Sequence, residues 1–188
     1  MVITILAEPR SGSTNLANWF SLYKEFTILQ EPLNKNGINY KKNIPINEWV
    51  YNTPHLIIKE IYTADKPLNT LIEFSDKLII LYRENKKEQL ESWLIASVTN
   101  NWGDKWVNSK IGIPHKESKI DYFNKMVNGF EKEYRLNSNN FIISYEELYY
   151  NNGFERIVDY LNIDDVKNID FPYGEKYRLE RIITNKLI

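Results

Sequence analysis

Val2-Ile3-Thr4-Ile5-Leu6-Ala7-Glu8-Pro9-Arg10-Ser11-Gly12-Ser13-Thr14 carries the chain from an apolar, β-branched run into a short polar loop. The run is continuous rather than alternating, which predicts a strand buried on both faces. Glu8 to Gly12 reads as a turn. Beyond it, Leu16, Trp19, Phe20 and Tyr23 share one face at helical spacing. Strand, tight loop and helix in that order are the first half of a β-α-β unit, and they set the expectation for the remainder.

Phe26 to Leu29 predicts a second short strand, and residues 34 to 54 a long loop with one helical turn around Trp49. Leu56-Ile57-Ile58-Lys59 predicts a third strand, and Pro67 opens a helix running to about Phe74. Lys77 to Tyr82 is the clearest strand. Asn85 with Glu88 three positions later predicts a capping box on a helix reaching about Asn100. After an irregular segment over 101–117, Ile120, Phe123, Val127, Phe130 and Tyr134 mark a long amphipathic helix. Phe141-Ile142-Ile143 predicts the last strand, followed by helices around Glu147 and over 153–161. Apolar strands alternating with helices imply an α/β fold, a central parallel β-sheet flanked by helices. No repeat or linker divides the chain, so residues 1–188 are expected to form one domain.

Composition narrows the functional classes. The 188 residues are 43% hydrophobic and 26% charged, with a net charge of −1, which opposes binding of nucleic acid or anionic membrane by bulk charge. The absence of cysteine removes disulfides, thiolate metal sites and cysteine nucleophiles, and two histidines are too few for a His-rich metal centre. No apolar stretch approaches the ~20 residues of a membrane span. Met1 to Ala7 has no basic residue ahead of its apolar run, unlike a secretion signal, so a cytoplasmic protein is expected.

Ligands of open α/β sheets sit beyond the carboxyl ends of the strands. Pro9 to Thr14 occupies that position and runs into a helix, presenting unpaired N–H groups and the positive helix end to a phosphate or sulfate. Arg10 adds a cation, Ser11, Ser13 and Thr14 add hydroxyls, and Gly12 permits close approach. An ordinary capped helix start has similar residues. The Gly-x4-Gly-Lys-Ser/Thr pattern of nucleoside-triphosphate loops is absent. The strand over Lys77–Tyr82 ends in Arg83 rather than in an acidic residue for Mg²⁺, which favours metal-free anion recognition.

With these residues in view, the chain resembles the sulfotransferases that use 3′-phosphoadenylyl sulfate (PAPS), a family with a P-loop-like α/β fold. Pro9-Arg10-Ser11-Gly12-Ser13-Thr14 resembles their 5′-phosphosulfate loop. Leu81-Tyr82-Arg83 with Ser92 on the next helix is similar to their 3′-phosphate site. The nine-position step from Arg83 to Ser92, and the run Ser92 to Trp102, look most like the bacterial trehalose 2-sulfotransferase branch. Tyr145-Glu146-Glu147-Leu148 resembles a Tyr-Glu-x-Leu segment common in the family and is expected to pack the sheet edge. An Arg-Lys-Gly loop like that of cytosolic members is missing.

The resemblance implies sulfonyl transfer from PAPS to an acceptor hydroxyl, carbohydrate or glycolipid, without a metal. It assigns Arg10, Ser11, Gly12, Ser13, Thr14, Arg83 and Ser92 to the donor and Glu31 to catalysis; Arg10 and Lys59 are further catalytic candidates from their places at strand ends. Glu31, directly after the second strand, is the candidate base; a surface glutamate before a proline turn reads the same way. His55 is the rival, placed at the opposite end of the sheet. Lys59 either meets the sulfonate or acceptor or merely flanks its strand. Gln89, Ser92, Ala96 and Thr99 form a polar stripe, facing either a ligand or solvent, beside the apolar Leu90, Trp93, Leu94 and Val98. Lys86 and Lys87 read as surface charges. Trp102, Trp106 and His115 form either an aromatic binding loop or a satellite cluster. Two other readings remain open: a divergent nucleotide kinase or NTPase, and a non-catalytic nucleotide- or anion-binding module.

Overall fold

The computed structural model describes residues 1–21, 26–34, 45–99, 117–136 and 140–163. Five strands form one sheet: β1 (Val2–Ala7), β2 (Thr27–Gln30), β3 (Leu56–Ile61), β4 (Lys77–Tyr82) and β5 (Phe141–Ser144). Every pairing is parallel and the order is β2-β3-β1-β4-β5. β1 is central because its six residues are all buried, as the uninterrupted apolar run requires.

Successive strand residues face opposite layers. Ile3, Ile5 and Ala7 join Ile57, Ile79 and Leu81 beneath α1 (Ser13–Phe20), where Leu16, Ala17, Trp19 and Phe20 are buried. Two helices near the carboxyl end of the described residues complete this layer. On the other face, Val2, Leu6, Ile58 and Ile80 pack against the remaining helices. These are α2 (Ile46–Asn52), α3 (Leu68–Glu73), α4 (Lys86–Thr99) and α5 (Glu117–Phe130), the last running into a π-helical turn, Glu131–Arg135. After β5 come α6 (Tyr145–Tyr150) and α7 (Gly153–Leu161), which bury Leu148, Tyr149, Phe154, Ile157 and Leu161 under the α1 face.

The predicted strands and helices lie within a few residues of the observed ones. β3 runs on through the charged pair Lys59-Glu60, both fully buried, where the apolar pattern alone stops at Lys59. Tyr23, Asn100, Trp102, Trp106 and His115, with most of the irregular 101–117 segment, lie outside the described residues.

The order of the sheet places the chemistry. β1 lies between β3 and β4, so the loops leaving β1 and β4 emerge side by side, with those of β3 and β2 next along the same edge. Arg10, Arg83, Lys59 and Glu31 therefore belong to a single rim. His55 lies at the opposite rim, its carbonyl accepting the Thr27 N–H (2.9 Å) and its ring edge-on to Phe26.

Candidate active site

Gly12 is the N-cap of α1, with φ 81°, and no side chain caps that helix. The first-turn N–H groups of a helix have no intrahelical acceptor, so an uncapped start is where an anion is best held. The capped-start reading of this segment therefore does not describe it. Gly12 is also required by crowding: a Cβ there would stand 2.7 Å from Tyr149 Cε2 and 2.9 Å from Tyr145 Cδ2. The Tyr149 hydroxyl donates to the Gly12 carbonyl oxygen (2.9 Å).

Among the loop hydroxyls, Ser11 is fully buried and donates to the Glu8 carbonyl oxygen (2.8 Å), a bond that closes the loop on itself. Ser13 and Thr14 sit in the first turn of α1, the former buried and the latter half-buried.

Arg10 and Arg83 come together. Arg10 Nε donates to Ser92 Oγ (2.9 Å), and Arg83 Nη1 lies 3.5 Å from the Arg10 carbonyl oxygen. Arg83 rests over the Tyr145 ring, 4.6 Å from its centroid, with Nη2 on Glu88 (2.6 Å) and Nε 3.8 Å from Glu146. The capping box is consequently half made. Asn85 Oδ1 accepts the Glu88 N–H (3.2 Å), but the Glu88 carboxylate goes to the guanidinium, a stronger partner than an amide. The Asn85 N–H turns to Glu146 (3.0 Å). Tyr145 and Glu146 thus touch the site, beyond the edge packing expected of their segment.

On α4, Gln89 and Ala96 are buried, Ser92 is half-buried and Thr99 is exposed; Gln89 and Ser92 meet the β1 loop through Pro9 and Arg10. Val98, grouped with the apolar stripe, is exposed. Lys86 is no plain surface charge: its ammonium pairs with the buried Glu8 carboxylate (2.6 Å).

At the β2 and β3 tips, Glu31 binds Lys59 Nζ through one carboxylate oxygen and Asn34 Nδ2 (2.8 Å) through the other. The Lys59 side chain is 2% exposed and its ammonium pairs with the Glu31 carboxylate. Burial alone would raise the Glu31 pKa. The fields of Lys59 and Lys66 with the bonds from Lys59 and Asn34 outweigh it, and the group titrates below the ordinary carboxylate value. Glu31 and Arg10 both hold positive φ (48° and 62°). Such a backbone costs ~1–3 kcal/mol for a non-glycine residue, and strain of this kind concentrates where side chains must be aimed.

Two neighbours of these residues carry no motif in the sequence. Glu60, fully buried, accepts from the Leu33 N–H (2.9 Å) and pairs with Lys66 (2.5 Å), fixing the turn that carries Glu31. Desolvation raises its pKa in spite of Lys66. Glu8 is the other. The signal available for both was a charged residue at the end of an otherwise apolar strand.

No protein-family model and no curated protein matches the sequence. Among solved structures, the mouse sulfotransferase SULT7A1 complexed with PAP is similar over 98% of this chain and 64% of its own, with TM-score 0.56 and 17% identity. The chain therefore spans less than two thirds of that protein's length. At this identity the likeness establishes the fold: an α/β sulfotransferase-type architecture around a parallel five-stranded sheet. Among the described residues, no helix is long and apolar enough to cross a membrane.

Proposed function

We propose that residues 1–188 form a single sulfotransferase domain that moves a sulfonyl group from PAPS to an acceptor hydroxyl, probed first on carbohydrates and glycolipids. The observation that carries this reading is the meeting of Arg10 and Arg83, beyond the tips of adjacent strands, with Ser92 of α4 beside an uncapped helix start. Two cations and a ring of donors suit a ligand with two separate anionic groups. The PAP-bound neighbour supports it in kind.

Arg10 and the N–H groups of residues 12–14 are assigned to the 5′-phosphosulfate, and Arg83 and Ser92 to the 3′-phosphate. The Arg83 guanidinium, 12% exposed, is held by Glu88, whose carboxylate is 48% exposed and can move into solvent when a phosphate takes its place. PAPS supplies an activated sulfonyl group whose bond to the 5′-phosphate breaks as a new S–O bond forms to the acceptor. Glu31 takes the acceptor proton, Lys59 and Asn34 hold Glu31, and Arg10 with the loop N–H groups stabilises charge growing on the departing phosphate oxygen. Donors preorganised for that charge are worth ~3–4 kcal/mol each. The nine-position step from Arg83 to Ser92 supports placement near the trehalose 2-sulfotransferase branch, and a cytoplasmic setting suits the donor.

Calorimetric titration tests the assignment. The protein is expected to bind adenosine 3′,5′-bisphosphate without Mg²⁺ far more tightly than AMP or ATP, and Arg83→Ala to erase the preference. Equal binding of the three nucleotides by the native protein removes the sulfotransferase reading and favours a nucleotide kinase or a general anion-binding module.

A further inference from the structure

We infer that Glu8 is a positioning residue that holds the two proposed phosphate subsites in register, an inference that rests on the reading above. Glu8 follows β1 directly and is fully buried. Its backbone N–H donates to the Leu81 carbonyl oxygen on β4 (3.0 Å), and its own carbonyl oxygen accepts from Ser11 (2.8 Å). Its carboxylate accepts from Lys86 Nζ (2.8 and 2.6 Å), from Gln89 Nε2 (3.0 Å) and from the Arg83 backbone N–H (3.1 Å). One side chain thereby joins the loop of Arg10, the backbone of Arg83 and the first turn of α4.

The connection continues to the ligand-facing groups. Gln89 Nε2 also donates to the Pro9 carbonyl oxygen (2.8 Å), and one turn further along α4 Ser92 receives Arg10 Nε. With acceptors for both Nε2 protons the orientation of the Gln89 amide is fixed, and among the described residues Gln89 Oε1 is buried without a hydrogen bond.

The fold does not call for a charge here. Hydrogen bonds already join β1 to β4, and an apolar side chain would close the strand end without the cost of burying a carboxylate. What the carboxylate adds lies beyond the strand ends, where no ladder fixes how the loop after β1 sits against Arg83 and α4. A satisfied buried polar network specifies one such geometry. Because the carboxylate is sealed from solvent by its partners, Glu8 acts through them and not on the ligand.

The consequence is a selective one. A ligand bearing both phosphates gains from linkage between its two ends only while the subsites keep their spacing. Titrations with adenosine 3′,5′-bisphosphate, adenosine 5′-monophosphate and adenosine 3′-monophosphate separate the contributions. Glu8→Gln keeps the side-chain shape but removes the charge that holds Lys86. It is expected to weaken bisphosphate binding by roughly 10- to 100-fold while each monophosphate changes by less than about threefold. Lys86→Gln, made from the solvent side, is expected to give the same selective loss if Glu8→Gln does not fold, and Lys86→Arg to restore bisphosphate affinity. Parallel losses for all three ligands, or no loss for any, overturn the positioning role. Native protein that binds the bisphosphate no better than the monophosphates instead overturns the parent reading, before any variant is compared.

Discussion

Arg10 and Ser92, 82 positions apart, are joined by a 2.9 Å hydrogen bond from guanidinium Nε to hydroxyl Oγ. That bond ties the loop after the central strand to the middle of α4, so the residues assigned to opposite ends of one nucleotide share a contact. A hydroxyl accepting from arginine still has its own proton to donate, which a phosphate oxygen in the same place would receive. Ser92→Ala removes both bonds. Hydrogen bonds to charged groups are worth ~1.5–3 kcal/mol, so affinity for adenosine 3′,5′-bisphosphate is expected to fall by roughly 10- to 100-fold in a calorimetric titration, with AMP affected less. Unchanged affinity would place the 3′-phosphate away from α4.

Gly12 is held from two directions, by a left-handed φ of 81° and by the Tyr145 and Tyr149 rings against its Cα. An alanine there must accept the unfavourable backbone and push its methyl against a fully buried tyrosine. Each cost is about 1–3 kcal/mol, so together they are about 2–6 kcal/mol. For a chain of this size the melting temperature is expected to drop by roughly 5–20 °C in a calorimetric scan. Displaced rings also disturb the start of α1, so bisphosphate binding is expected to weaken in the same variant. A native-like melt with native affinity would mean that the loop yields without cost and that its shape is not essential.

The fold was legible because its strands are written as nearly pure apolar runs. Ile3, Ile5, Ile57, Ile79 and Leu81 need no context to be read as buried. Arg10, Arg83 and Ser92 were legible as a motif, since each stands at a fixed place relative to a strand end or a helix. The buried charges resisted reading for a physical reason. The burial of Glu8 and Glu60 depends on Lys86, Gln89, Lys66 and the Leu33 N–H, and sequence order does not bring these partners together. Lys59 was visible as a strand-end lysine, but only the β2–β3 pairing, which sets Gln30 opposite Lys59, turns it towards Glu31. Tyr145 reads as edge packing in the sequence, because only the fold sets the Arg83 guanidinium over its ring.

The Glu31–Lys59 pair sets the pH response expected of turnover. Burial acts to raise the Glu31 pKa, and Lys59, Asn34 and Lys66 together lower it below the ordinary value of 4.5. A carboxylate with a depressed folded-state pKa contributes stability above its unfolded value and loses it as pH falls through the folded one. The native protein is therefore expected to keep Glu31 ionised, and so able to act as the proposed base, down to pH values below 4.5. Lys59→Met keeps the burial and removes the largest opposing field, so the acid limb of kcat/KM should move to higher pH. Glu31→Gln should preserve bisphosphate binding while cutting turnover by ~10²–10⁴ across the range, in step with loss of a general base. Sulfate transfer from labelled PAPS, followed over pH for the three proteins with a melt of each as a folding control, gives both results. An acid limb that stays in place in Lys59→Met, or full turnover in Glu31→Gln, would move the base to another residue.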